Sequence, residues 1–274
     1  MLTYYNQNLH THGIYCDGKN AYEDTVLRAI ELGFDCIGFS GHCYTPFKTY
    51  SAMSLENTEN YKKEIRRLQE KYKEQILVLC GIEFDMYSVD DLDAYDYVIG
   101  SVHYPKFGDI YLDFDKTADV VERIIQEHFG GDGMKFAKLY YESLAMLPQY
   151  AKKCDIVGHF DLITKHQDNY QFFDTKSPVY RKMALEALDV LAEAVGVFEV
   201  NTGAITRGYR KTPYPDPFIL KEIQKKGCGI VISSDCHNNL YLDYHFKEAL
   251  ELVKACGFKE VLKMTPHGLE AFGI

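Results

Sequence analysis

Ile76-Leu77-Val78-Leu79-Cys80-Gly81-Ile82-Glu83-Phe84 is an apolar run interrupted near its end by one acid. A run this short, rich in branched residues, reads as a strand. A carboxylate inside it is costly to bury unless it is paired or coordinates a cation. The run follows a helix-like stretch, Glu56–Lys73, and the alternation continues in both directions. The expected strands are about Gln7–His12, Cys36–His42, Ile76–Phe84, Tyr97–His103, Ile156–Phe160, Val197–Asn201 and Gly229–Ser234. Between them fall helical patterns over Ala21–Leu32, Glu56–Lys73, Thr117–His128, Lys135–Lys152, Pro178–Ala194, Pro217–Lys226 and Leu240–Cys256. Roughly seven β-then-α units predict a parallel sheet, because parallel strands need crossover connections. A closed or nearly closed barrel suits that count, with an open doubly wound sheet as the competitor. Alternation alone does not choose between them.

The polar residues of these units fall in one kind of place. His10 and His12, His42, Glu83, His103, His159, and Asp235 with His237 all lie at or just past the C-terminal ends of expected strands. Ligand sites of α/β folds form at that edge, where strand ends and the following loops converge. His10-Thr-His12 puts two imidazoles on one face of a strand, since side chains repeat every second residue, and Asp235-Cys-His237 repeats the spacing. Each histidine alone reads as an ordinary hydrogen-bonded side chain; the set points to metal. With Asp17 the candidate ligands number nine: His10, His12, His42, His103, His159, His237, Asp17, Glu83 and Asp235. One tetrahedral zinc uses three or four ligands, so the set suits two or three ions. Nitrogen and oxygen donors without thiolate favour zinc, manganese or iron over copper(I). Cys16, Cys43 and Cys236 neighbour these ligands in sequence and read as packing residues.

The composition sets outer bounds. The chain has 274 residues, 46% hydrophobic and 26% charged, as expected of a globular protein, and a formal net charge of −10. That charge disfavours non-specific binding to nucleic acid or to an anionic membrane. The start, Met1-Leu-Thr-Tyr-Tyr-Asn-Gln-Asn, lacks the basic-then-apolar grammar of a signal peptide, and no segment has 18 uninterrupted apolar residues. The expectation is a cytoplasmic protein. Its eight scattered cysteines, with no C-x-x-C pair, are buried thiols on this reading.

The ordered motifs His10-x-His12, Asp17-Gly18, Gly41-His42, Gly81-x-Glu83, Ser101-x-His103, Gly158-His159 and Ser234-Asp235-x-His237 resemble the polymerase-and-histidinol-phosphatase (PHP) superfamily. They span residues 10 to 237. Gly100-Ser-Val-His-Tyr, Gly158-His-Phe-Asp-Leu-Ile-Thr-Lys and Glu199-Val-Asn-Thr-Gly make the chain look like its stand-alone histidinol-phosphate phosphatases. The resemblance implies a distorted (β/α)7 TIM-like barrel, a single domain over 1–274, with three divalent ions. By position, one ion takes His10, His12, Glu83 and Asp235; a second shares Glu83 and adds His103 and His159; the third takes Asp17, His42 and His237. Many relatives carry histidine where Asp17 stands, and aspartate there supplies an oxygen donor instead. Three ions bring roughly +6 against about −3 from the carboxylates, a net positive pocket suited to a phosphate monoester. The implied reaction is phosphomonoester hydrolysis, L-histidinol phosphate first among substrates. A metal-bridging hydroxide at Asp17, Glu83 and Asp235 is the nucleophile.

Arg207, after the strand ending at Asn201, is the candidate phosphate clamp, since a guanidinium matches phosphate geometry. Arg210, Lys211 and Lys165 are weaker candidates, and Tyr104, Phe107 or Asp161 the candidates for the imidazole and amine. His128, His166, His245 and His267 fall outside the strand-end pattern. A rival is Asp113-Phe-Asp115-Lys-Thr117, which matches the nucleophile motif of haloacid-dehalogenase-like phosphatases but leaves the histidines unexplained. Its plainer reading is an Asp/Thr N-cap for the helix starting near Thr117. Two further alternatives keep the barrel: a phosphoesterase acting on nucleotides, oligonucleotide ends or sugar phosphates, or a non-catalytic metal-binding module.

Overall fold

A computed structural model describes residues 4–48 and 50–274. Residues 1–3, part of the start read above for a leader, lie outside the described residues. Seven strands make one sheet in the order β1 (Gln7–Asn8), β2 (Cys36–Phe39), β3 (Leu77–Asp85), β4 (Tyr97–Ser101), β7 (Ile156–Val157), β8 (Val197–Asn201) and β9 (Gly229–Ser233). Every pairing within it is parallel. The helices between are α1 (Tyr22–Glu31), α2 (Leu55–Tyr72), α3 (Ala118–Phe129), α4 (Gly133–Tyr150), α5 (Pro178–Ala194), the short α6 (Gly203–Thr206), α7 (Pro217–Lys225) and α8 (Phe246–Ala255).

The sheet curls until its first and last strands meet. Beyond β1, Thr11 bridges Cys236 beyond β9; the His12 amide donates to the Cys236 carbonyl at 2.8 Å and the Cys236 amide to that of His10 at 3.0 Å. The open-sheet alternative is thereby excluded, and the fold is a nearly closed, seven-stranded β/α barrel. At the opposite end an antiparallel hairpin, β10 (Glu260–Thr265) and β11 (Gly268–Gly273), packs on β9. Gln7 ties it in, donating from Nε2 to the Met264 carbonyl at 2.7 Å and accepting the Met264 amide at 2.8 Å.

Two apolar layers hold this shape. Inside the barrel are Leu9, Cys36, Tyr97, Ile99, Ile156 and Val231. The larger layer, between strands and helices, includes Val26, Ile65, Leu144, Leu191, Ile223 and Val253, each fully buried or nearly so. A fully buried aliphatic side chain of this kind contributes about 1.5–3 kcal/mol. Tyr97 explains a glycine in the opening stretch: a Cβ at Gly81 would lie 2.2 Å from the Tyr97 ring, and one at Gly38 2.3 Å from its hydroxyl.

Three local expectations change. Residues 240–245 are not α-helical: Asn238 accepts the Leu240 amide at 3.2 Å to cap a short 3-10 turn (Asn239–Tyr241), and His245 adopts a left-handed φ of 60°, so α8 begins at Phe246. A second hairpin, β5 (Lys106–Phe107) with β6 (Ile110–Tyr111), was not anticipated, nor was β10–β11. Regular pairing in β1 stops at Asn8, short of both histidines. Among the described residues no helix is long and apolar enough to cross a membrane.

Candidate metal centre

The nine expected ligands converge at the C-terminal mouth of the barrel. His10 and His12 lie two and four residues past β1, His103 two past β4, His159 two past β7, and Asp235 and His237 two and four past β9. Glu83 is within β3, as its apolar run requires. His42 is set directly beside it by a parallel bridge, with the Cys43 amide donating to the Glu83 carbonyl at 2.9 Å. Asp235 takes a left-handed φ of 48°, which aspartate tolerates better than most residues.

Glu83 is the hub. Its Oε1 lies 2.9 Å from His159 Nε2 and 3.5 Å from His103 Nε2. Its Oε2 lies 2.8 Å from His42 Nδ1, 3.3 Å from His10 Nε2 and 3.6 Å from His12 Nε2. Asp235 Oδ1 approaches His12 Nε2 at 3.3 Å and His10 Nε2 at 3.7 Å. At the rim, Asp17 Oδ1 is 3.3 Å from His237 Nε2, and its Oδ2 is 3.7 Å from His42 Nε2. Three groups have donor atoms close enough to share an ion: His12/Asp17/His42/His237, His10/His12/Glu83 and His42/Glu83/His103. They differ from the expected partition in two respects: His12 and His42 each reach two groups, and Asp235 and His159 fall outside all three, meeting the set instead through His12 (3.3 Å) and Glu83 (2.9 Å).

The donors fit a cation. His10 Nε2, His12 Nε2 and Glu83 Oε2 are buried and have no hydrogen-bond partner, although they face one another. Native interiors rarely leave such groups unmatched, and coordination is one way of satisfying them. Burial alone would lift the Glu83 carboxyl, yet His42, His10 and His103 hold it well below its usual range. Asp235 is likewise lowered against its burial, first by Arg207 and then by His10. Burial, with His237 and His42 alongside, pushes the His12 imidazole down to about 3, so its ring is neutral and able to ligate. No group includes a thiol among the described residues: burial pushes Cys16 up to about 11 and Cys43 and Cys236 up to about 12.

A cleft of about 740 Å³ opens over these groups, lined also by Arg207, Lys165 and Tyr104. Arg207 Nη2 donates to Asp235 Oδ2 at 2.9 Å, and Lys165 Nζ to Asp115 Oδ1 at 2.7 Å. Asp161 is elsewhere. The chain turns into a 3-10 segment after His159, and the Asp161 carboxylate is fully buried, accepting the Asp216 amide at 3.0 Å with Arg210 3.6 Å away. Arg210 is buried with it, so neither faces the cleft. Lys211 and Phe107 do not line the cleft either. Asp113 and Asp115 do, but as ion-pair partners of Lys48 (2.6 Å) and Lys165. Thr117 stands at the N-cap of α3 without a side-chain cap bond. Of the remaining histidines, His166 bonds the Lys116 carbonyl at 2.7 Å.

Sequence reading passed over two carboxylates that hold ligands from behind. Asp85 Oδ2 accepts the His103 amide at 2.6 Å, and Glu199 Oε1 meets His10 Nδ1 at 2.6 Å. Both are acids in apolar strands, the same signal that marked Glu83.

Fold and site together define a β/α barrel with a histidine- and carboxylate-rich mouth able to hold divalent metal. The chain belongs to the PHP domain family, whose model matches residues 8–203. Similar proteins include the "Probable histidinol-phosphatase" of Deinococcus radiodurans, 30% identical, with 87% of this chain and 90% of that one aligned. The "Probable histidinol-phosphatase" of Schizosaccharomyces pombe is 27% identical over 94% of this chain and 90% of its own. The crystal structure of Lactococcus lactis histidinol phosphate phosphatase, complexed with zinc, L-histidinol and phosphate, shares the fold. Its TM-score is 0.71 at 22% identity, covering 96% of this chain and 98% of that one.

Proposed function

We propose that this chain is a histidinol-phosphatase: it hydrolyses L-histidinol phosphate to L-histidinol and phosphate, using divalent metals held at the barrel mouth. The observation that carries the chemistry is the convergence of nine ligand-type side chains, seven of them in groups able to share an ion and Asp235 and His159 in contact with these, with three of the buried atoms unpartnered. The substrate assignment rests on the relatives above, matched along about nine-tenths of their length. In this reading residues 1–274 act as one cytoplasmic catalytic unit, and eight free thiols suit that reducing compartment.

The ligands are His10, His12, Asp17, His42, Glu83, His103, His159, Asp235 and His237, shared among three ions of zinc, manganese or iron. Ions bound there supply charge neutralisation at phosphoryl oxygens and acidify a water. The protein's part is placement. Asp17, Glu83 and Asp235 are the carboxylates that would hold the ions which activate the attacking water. Arg207, held by Asp235, presents its remaining donors to the phosphate, and Lys165 reaches the same cleft. Tyr104, buried in the cleft wall, offers a flat face to the imidazole. Asp113 and Asp115, paired with Lys48 and Lys165 in the cleft wall, are the carboxylates nearest to hand for the amine, since Asp161 is buried away from the cleft.

Phosphate release from L-histidinol phosphate, measured beside nucleotides, sugar phosphates and generic esters, tests the substrate. A kcat/KM for L-histidinol phosphate far above the others is expected. Equal or better turnover of nucleotides or sugar phosphates sinks the assignment while keeping the barrel chemistry.

A further inference from the structure

Glu199, in the middle of β8, is fully buried and accepts four hydrogen bonds. His10 Nδ1 (2.6 Å) and the Ser233 hydroxyl meet Oε1; the His159 amide (2.7 Å) and Asn201 Nδ2 (2.9 Å) meet Oε2. A carboxylate offers about four lone-pair sites, so this one is saturated. The His159 amide, the Asn201 amide group and the Ser233 hydroxyl all donate and favour the ionised form, which can only accept, so His10 Nδ1 carries a proton. His10 Nε2, on the far side of the ring, faces Glu83 Oε2 at 3.3 Å and Asp235 Oδ1 at 3.7 Å. A lone pair set against two carboxylate oxygens is repulsive unless positive charge lies among them. His12 Nε2 faces the same two oxygens at 3.6 and 3.3 Å, so one ion there would satisfy both rings.

We infer that Glu199 is a positioning residue that couples two metal ligands, fixing the His10 tautomer through the ring and the placement of His159 through its backbone. The inference rests on the metal-centre reading and deepens it. Both tethered ligands reach Glu83. The rim group, Asp17, His42 and His237, makes no hydrogen bond to Glu199 among the described contacts. Glu199 therefore governs the inner metals and not the rim metal.

Glu199→Gln tests this, because an amide cannot accept from both His10 and His159: one N–H must face its NH2 group. Metal is loaded as Co(II) or Zn(II) and challenged by dialysis against a chelator of intermediate strength. Inner-site affinity should fall about 10–100-fold, the usual cost of losing such a partner. Bound equivalents should drop while the rim ion remains, and the visible Co(II) spectrum should change. Wild-type stoichiometry with an unchanged spectrum would overturn the inference. Should Glu199→Gln not fold, Ser233→Ala removes one donor from the same carboxylate. A smaller loss of inner-site affinity is then expected, and wild-type retention overturns the inference. Wild-type protein that takes up no metal sinks the metal-centre reading itself, a different failure.

Discussion

The two ends of the barrel both carry polar cavities of similar size, and the metal ligands stand at only one of them. The cavity at the amino-terminal strand ends measures about 840 Å³, against about 740 Å³ at the mouth. Its polar groups are matched to each other. Lys263 pairs with Asp35, Gln7 Nε2 reaches Asp35 Oδ1 at 3.0 Å, and Arg66 and Gln69 bond Asp96 at 2.6 and 2.7 Å. At the mouth, buried nitrogens and a carboxylate oxygen point at one another without partners. The contrast teaches that unmet bonding capacity, not cavity size, marks the functional end. It also follows strand direction, since barrel strands deliver function at their carboxyl ends and stability at the other.

Substitutions at the two ends should therefore separate cleanly. The largest effect belongs to Glu83→Gln, which removes a charge that every ligand group but the rim one uses. Its kcat should fall about 10³-fold, comparable to the loss of a principal electrostatic contact to the transition state. Retention of kcat within tenfold would remove Glu83 from the centre.

Arg207→Ala comes next, with kcat/KM for a phosphate ester down about 10²-fold. Arg207→Lys should recover only part, because a lysine keeps the charge and loses the forked geometry. An unchanged kcat/KM in both variants would mean that Arg207 serves Asp235 alone.

Lys263→Met, at the opposite end, should cost at most about 1 kcal/mol of stability, since Asp35 is half-exposed and water screens the pair. Its turnover should match wild type. A large activity loss there would break the contrast between the ends.

Much of this was legible from the chain. Most of the metal set could be read because the histidines and Asp235 stand at or just past expected strand ends, and Glu83 because it interrupts an apolar run; Asp17, in a loop, carries no such signal. Barrel closure could not, since an open sheet and a barrel need the same β-then-α alternation; the decision rests on backbone bonds between His12 and Cys236. The direction of Asp161 could not be read, because it lies just past the expected strand end at Phe160, where the chain turns into a 3-10 segment. Glu199 carried the same signal as Glu83, but sequence does not say whether a buried acid faces an ion or the back of a ligand. The β5–β6 and β10–β11 hairpins lack the alternation that marks longer strands.

The most direct test of the central claim is the metal content of protein purified without chelators, with phosphate release measured before and after metal removal. Two to three equivalents per chain are predicted, with turnover lost on chelation and restored by zinc, manganese or iron. Full activity with magnesium alone, abolished by changing Asp113 but not by changing His10 or His12, would contradict the account.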